Sequence, residues 1–217
     1  MQQLIDLFLN LDTHLAAFVK TYGTLVYGLI FAIIFAETGL VVMPFLPGDS
    51  LLFAAGTLAA TGALDLRLTA IVIFVASVLG DAVNYSVGRY IGPRVFRAEG
   101  RTGRFEKWLN PKHLEQAHLF FETHGGKAVV LARFVPIVRT FIPFVAGAGA
   151  MTYGTFTFYN VIGGAVWTVI CVGAGYLFGN IPVVQKNFEL VVLGIVAISV
   201  LPVIIQFFRH RSAGAKL

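Results

Sequence analysis

A long apolar run, from about residue 24 to 62, limits the folds open to this chain. A membrane-spanning helix needs about 20 residues, so the run is too long for one span and too short for two. Pro44, Pro47 and Gly48 interrupt it, and all three are poor residues for a helix interior. We therefore predict a re-entrant helical hairpin, which dips into the bilayer and returns to the same face.

A second broken apolar segment covers residues 128–151. It contains two prolines, Pro136 and Pro143, and two arginines, Arg133 and Arg139. Non-helical backbone at membrane depth is tolerated only where protein or water covers it. The segment predicts a second re-entrant hairpin, with its break buried inside the protein.

Composition places the rest of the chain in a membrane as well. Of the 217 residues, 57% are hydrophobic and 12% are charged, and the mean hydropathy is +0.81. Soluble domains carry roughly 25% charged residues. Ordinary transmembrane helices are expected at residues 68–91, 156–178 and 183–208, and an interfacial amphipathic helix at residues 1–20. We predict an all-α integral membrane protein.

Positive charge is concentrated in the segment 93–127 and in the C-terminal tail. Such segments usually lie in the cytoplasm, and they can contact anionic lipid, whereas nucleic-acid binding does not fit the membrane context. With both in the cytoplasm, the two hairpins enter the bilayer from opposite faces, as in many secondary transporters. Within the basic segment, Pro111 and Gly125 predict a helix at residues 111–124.

The two halves of the chain resemble each other. The sequence AGTLA at residues 55–59 is echoed by AGAGA at 146–150, and the glycines of 88–92 are echoed by those of 175–179. The expected architecture is an inverted repeat of a re-entrant hairpin plus a transmembrane helix. One extra C-terminal transmembrane helix completes a single domain covering residues 1–217.

Ionisable side chains within the apolar segments are the candidate functional residues. They are Glu37, Asp49, Asp81, Arg133 and Arg139. Each costs at least about 2.5–3.5 kcal/mol at the bilayer centre, so pairing or water must compensate. Aligning the halves places Asp49 opposite Thr140, next to Arg139, so facing hairpins would bring acidic and basic groups into one polar cavity. A purely structural ion pair is the alternative.

Asp81 is a secondary candidate, because Asn84 and Tyr85 could hydrogen-bond it within the same helix. The single cysteine, Cys171, and the five histidines form no ligand pattern, so no metal site or cofactor is expected. No nucleophile and base motif appears, and an enzyme is not expected, although a membrane phosphatase that uses the arginines stays open.

Arginine suits phosphate, because its planar guanidinium makes paired hydrogen bonds. Broken helix ends add backbone groups to such an anion site. A buried carboxyl group nearby can take up a proton. Together, these features indicate an anion that is carried with proton exchange at Glu37 or Asp49.

Three stretches resemble the bacterial DedA family, which is part of the wider VTT (SNARE-associated) domain class. They are FAETGLVVMPFLPGDSLLFAAGTLA (35–59), GDAVNYSVGRYIG (80–92) and HGGKAVVLARFVPIVRTFIPFVAGAGAM (124–151). The Arg-Phe-x-Pro-x-x-Arg-Thr pattern of the third is highly specific. The resemblance implies a multi-pass protein of the bacterial inner membrane, with two re-entrant hairpins. It also implies transport that depends on the proton motive force and supports envelope integrity.

The resemblance further implies an essential acidic pair at Glu37 and Asp49 and an essential arginine pair at Arg133 and Arg139. The implied partners are protons and a membrane lipid, either polyprenyl (undecaprenyl) phosphate or a phospholipid, which a flippase would move. Alternatives are a proton-coupled ion or small-solute transporter and a non-transporting envelope scaffold. The glycine-rich face at residues 163–175 could form a homo-oligomer or pack within one chain.

Overall fold

The computed structural model describes residues 23–40, 48–97, 111–135, 138–149, 151–179 and 181. Within these ranges the chain is helical and contains no β-strand. The helices are α1 (Leu25–Gly39), α2 (Gly48–Ala60), α3 (Leu66–Arg97), α4 (Pro111–His124), α5 (Ala128–Leu131), α6 (Ile142–Ala148) and α7 (Tyr153–Gly179). Two 3-10 turns, Gly125–Lys127 and Ala132–Phe134, flank α5.

Several predicted features lie outside the described residues. They are the interfacial helix at 1–20, the prolines Pro44, Pro47 and Pro136, the middle of the basic segment at 98–110, and the last transmembrane helix at 183–208.

Among the described residues, two helices are long and apolar enough to cross a membrane. They cover Leu66–Gly92 and Tyr153–Gly179, so helices of sufficient length and apolar composition occur where transmembrane helices were predicted, at 68–91 and 156–178. The helix predicted at 111–124 is confirmed.

The described start of the basic segment, residues 93–97, is helical where a loop was predicted. Its first residues continue α3 as far as Arg97, and residues after 110 are largely helical. The prediction of a loop from residue 93 was wrong, because Arg, Val and Phe beyond Pro93 are compatible with a helix.

Helices α1 and α2 form a hairpin. They contain 15 and 13 residues, which is shorter than a full span. At the closed end, Glu37 of α1 lies against Gly48 of α2. At the open end, the backbone N–H of Asp65 donates to the Tyr27 hydroxyl at 2.8 Å. Gly62, with a φ of 78°, turns the chain there. The entry and exit of the hairpin therefore lie together.

The two long helices run in opposite directions. Tyr85, in the second half of α3, stacks on Phe156 near the start of α7, with 4.4 Å between ring centroids. The end of α7 lies at the other side of the protein, where the Thr57 hydroxyl of α2 donates to the Gly175 carbonyl at 3.1 Å. Helix α2 leads to the open end of the hairpin, and α3 begins shortly after it. The end of α7 packs on α2, so it lies near the start of α3.

Helix α2 packs closely on α7 through a pair of glycines. A Cβ atom at Gly56 would overlap the Val172 carbonyl oxygen, and one at Gly175 would overlap the Phe53 carbonyl oxygen. Each glycine thus lets its helix approach the backbone of the other, as small residues do between membrane helices.

Helix α6 packs on α3 in the same way. A Cβ atom at Gly147 would overlap the Tyr85 carbonyl oxygen, and one at Gly88 would overlap the Phe144 carbonyl oxygen. These glycines occupy the positions that the sequence alignment makes equivalent to Gly56 and Gly175. In each half, the second helix of the broken segment, α2 or α6, therefore packs against the long helix of the other half.

The glycine-rich face of α7 is used mainly within the chain. Gly163 lies against Arg133, Gly164 lies against Val78, and Gly175 lies against α2. Gly173 has open space beside it. Apolar side chains form two buried clusters around these seams, one containing Phe144 and Phe156 and the other containing Leu52 and Trp167.

Candidate functional site

Arg139 joins the second broken segment, which was predicted to be a hairpin, to both helices of the first hairpin. It lies in the turn before α6, and its Nη1 donates to Asp49 Oδ1 at 2.9 Å. Its Nη2 donates to Glu37 Oε1. Glu37, in the last turn of α1, is 1% exposed, whereas the Asp49 side chain is 25% exposed. The structure thus brings three of the predicted residues into one charge cluster.

The local sequence explains how the two carboxylates reach Arg139. Helix α1 ends at Gly39, and α2 begins at Gly48, so Asp49 lies in the first turn of α2. A carboxylate is favourable there, because the helix dipole is positive at that end. A Cβ atom at position 48 would overlap the Glu37 carboxylate, so glycine there lets Glu37 keep this place.

Arg133 makes a second, separate ion pair. It lies in the 3-10 turn after α5, and its Nη2 donates to Asp81 Oδ2 at 2.5 Å and to Asn160 Oδ1 at 2.7 Å. All three side chains are buried. The Asn160 amide in turn donates to the Val78 carbonyl at 3.0 Å, which fixes its orientation. Asp81 is thus the partner of an arginine from the second hairpin.

The sequence suggested that Asn84 and Tyr85 hydrogen-bond Asp81, but both side chains bond backbone carbonyls instead. The Asn84 amide donates to the carbonyls of Thr38, at 3.1 Å, and Thr140, at 2.8 Å. These carbonyls belong to the broken ends of the two hairpins, and buried carbonyls need such donors. The Tyr85 hydroxyl donates to the carbonyl of Met151.

Trp167 of α7 contacts both charge clusters. Its Nε1 donates to Asp49 Oδ1 at 3.0 Å. The guanidinium carbons of Arg133 and Arg139 lie 5.7 and 5.8 Å from the ring, within the range of a cation–π contact. The sequence predictions missed both Trp167 and Asn160. The polar Asn160 inside an apolar span was a usable signal.

Two of the five predicted helix-breaking residues, Gly48 and Pro143, lie in the described part of the chain. Gly48 begins α2, and Pro143 lies in the first turn of α6, where proline is well tolerated. Pro143 therefore lies at the start of the helix that follows the break in the second segment. Pro44, Pro47 and Pro136 lie outside the described residues.

A small cavity lies between the two ion pairs. It measures about 20 Å³, and its lining includes Glu37, Asp81, Arg133, Arg139 and Trp167. This volume suits about one water molecule. Any larger occupant therefore requires the side chains around the cavity to move. In the part of the chain that the structure describes, no group of three or more His, Cys, Asp or Glu side chains could hold a metal ion.

The model of the VTT domain matches residues 46–177, which is more than half of the chain. The chain belongs to the VTT-domain family. The matched region contains every charged residue of the two clusters except Glu37. No solved structure matches the chain.

Curated relatives agree with this assignment. Protein DedA of Escherichia coli (strain K12) is 49% identical over 98% of this chain and 96% of its own length. An uncharacterised membrane protein of Mycobacterium tuberculosis (strain ATCC 25618 / H37Rv) is 39% identical over 87% of this chain and 81% of its own. Inner membrane protein YqjA of Escherichia coli (strain K12) is 38% identical over 75% and 71%. The family resemblance seen in the motifs is confirmed, and the chain is a membrane protein close to DedA.

Proposed function

We propose that this protein is a flippase that moves a lipid phosphate across the bacterial inner membrane at the expense of the proton motive force. The observation that carries the proposal is the sharing of Arg139 between Glu37 and Asp49, at the meeting point of two broken hairpins. The polar site would hold the headgroup while the lipid chains stay in the bilayer. Binding and movement are sufficient, without covalent chemistry or a cofactor.

The helix packing supports a transporter architecture. We infer that the antiparallel α3 and α7 are transmembrane helices of an inverted repeat, and that each hairpin is re-entrant. The adjacent entry and exit of the first hairpin, at Tyr27 and Asp65, support this inference. In transporters of this kind, broken helices meet near the bilayer midplane and form the substrate site.

The chemistry of Arg139 supports an anion as substrate. A phosphate offers the same kind of oxygen acceptors as a carboxylate, and it can receive paired hydrogen bonds from a guanidinium. The partner easiest to replace is Asp49, because its side chain is more exposed than that of Glu37. A lipid phosphate would therefore take the place of Asp49 on Arg139.

The charge balance supports coupling to protons. In the described residues, the two clusters contain three carboxylates, Glu37, Asp49 and Asp81, but only two guanidinium groups. An uncompensated charge is unfavourable in a buried site. One proton on Glu37 or Asp49 balances the charges, and the protonated carboxyl group binds Arg139 less strongly. Proton uptake would thereby open the site to the phosphate.

Lipid movement in reconstituted vesicles tests the proposal. Undecaprenyl phosphate and phosphatidylethanolamine are each supplied with and without an imposed proton gradient. Arg139→Ala should slow movement of the transported lipid by roughly 10- to 100-fold, as expected for lost hydrogen bonds to a charged group. Glu37→Gln, Asp49→Asn and Arg133→Ala are tested beside it. Arg67→Ala, at an exposed position of α3, is the matched control and should move lipid normally. Normal movement in all four charge variants would refute the proposal.

A small inorganic anion is a second candidate substrate, because the cavity between the ion pairs measures only about 20 Å³. Proton flux driven by such an anion in vesicles, without lipid movement, would favour it. Loss of folding together with function in every charge variant, and no transport by the wild type, would instead favour an envelope scaffold.

A further inference from the structure

Trp167, on α7, contacts charged residues from both broken segments. Its indole N–H reaches Asp49 of the first hairpin, and its ring lies near Arg133 and Arg139 of the second. Trp167 is 3% exposed, so a buried side chain makes these contacts.

The indole N–H helps to hold Asp49 over Arg139. Asp49 Oδ1 accepts from Trp167 Nε1 at 3.0 Å and from Arg139 Nη1 at 2.9 Å. Both donors converge on the same oxygen atom. If an anion replaces Asp49 on Arg139, the indole N–H also loses its acceptor and becomes available to that anion.

The indole ring stabilises two like charges close to each other. The guanidinium carbons of Arg133 and Arg139 lie at nearly equal distances from it, 5.7 and 5.8 Å. The electron-rich face of an indole attracts cations. These ring contacts do not involve a carboxylate, so they persist when one departs. A dianionic phosphate monoester can then accept hydrogen bonds from both guanidinium groups.

We propose that Trp167 is a positioning residue for a phosphate monoester: its ring sets the placement of the two arginines, and its N–H is transferred from Asp49 to a phosphate oxygen on binding. This inference rests on the proposed function and deepens it. It favours a terminal phosphate, as in undecaprenyl phosphate, over the phosphodiester of a phospholipid, because a monoester has three unesterified oxygens that can accept hydrogen bonds from the two guanidinium groups and the indole N–H, whereas a diester has two.

Tryptophan fluorescence measures whether a phosphate group binds beside Trp167. The chain has two tryptophans, and Trp108→Phe leaves Trp167 as the only one. In this variant, undecaprenyl phosphate and inorganic phosphate should change the emission of Trp167 saturably, whereas undecaprenol, which lacks the phosphate, should not. The response should disappear in a Trp108→Phe/Arg139→Ala double variant. Unchanged emission at saturating undecaprenyl phosphate would overturn the inference.

Transport by two substitutions of Trp167 separates positioning from a merely structural role. Trp167→Phe keeps a ring but lacks the N–H, and Trp167→Leu lacks both. The leucine variant should raise KM for undecaprenyl phosphate by roughly 3- to 30-fold, and the phenylalanine variant by less, with kcat largely kept. A structural role would instead lower the folded yield and kcat in both variants, without changing KM.

The outcomes distinguish this inference from the proposed function. If the wild type moves lipid phosphate and Trp167→Leu has the wild-type KM, only the inference about Trp167 fails. If the emission responds to phosphate but the wild type moves no lipid, only the flippase proposal fails. If neither occurs, both fail.

Discussion

The pair of Arg133 and Asp81 should be more sensitive to the loss of one partner than to the loss of both. Their side chains are 7% and 8% exposed, and the Nη2–Oδ2 distance is 2.5 Å. Removing one member of a buried ion pair costs about 3–5 kcal/mol, because the other charge stays buried without compensation. Replacing both members with uncharged residues removes that penalty.

The expected losses in the free energy of unfolding follow from the burial of the pair and from the contact of Arg133 with Asn160. Arg133→Met and Asp81→Asn should each lower the free energy of unfolding by about 3–5 kcal/mol. In the double variant, the main residual defect is the Asn160 oxygen, which loses the donor that Arg133 provides. A buried acceptor left without a partner costs about 1–3 kcal/mol. The double variant should therefore be more stable than either single one, with a coupling energy of at least about 3 kcal/mol.

Unfolding in mixed detergent micelles, followed by circular dichroism, measures these free energies. Arg67→Met, at an exposed position, should have little effect and serves as the control for loss of a positive charge. Additive losses, with the double variant as the least stable protein, would refute this reasoning. They would mean that the two charges do not compensate each other as the contact indicates.

Two further predictions concern the packing and the hairpin. Gly175→Ala should destabilise the protein by about 1–3 kcal/mol, because its Cβ atom would meet the Phe53 carbonyl, whereas Gly173→Ala, with open space, should be nearly neutral in the same unfolding assay. Equal effects would contradict the described packing of α2 on α7. In a Cys171→Ala background, Gly23→Cys and Thr61→Cys, both at exposed positions, should react with an impermeant thiol reagent from the same side of the membrane. Labelling from opposite sides would contradict a re-entrant hairpin.

Local features of the fold could be predicted from the sequence. Pro111 and Gly125 indicated the ends of α4, and unbroken apolar runs indicated α3 and α7, because helix ends and span lengths depend on neighbouring residues. The close approach of Gly56 and Gly175 also follows a sequence signal, the repeat of small residues in both halves.

The pairing within the site could not be predicted in the same way. The sequence identified the buried charges, but which carboxylate meets which arginine depends on contacts between distant helices. Asp81 pairs with Arg133, 52 positions away, and Asn84 bonds carbonyls of both hairpins instead of its neighbour. Trp167 looked like an ordinary apolar residue of a span, because its role comes from three charged groups on other elements.

The most direct test of the account is proton movement driven by the lipid phosphate itself. Vesicles that enclose a pH-sensitive dye receive undecaprenyl phosphate or undecaprenol on one side, without an imposed gradient. The account predicts a change in internal pH with undecaprenyl phosphate alone, and its loss in both Glu37→Gln and Arg139→Ala. Lipid phosphate that crosses the membrane without any proton movement, or an equal pH change with undecaprenol, would contradict it.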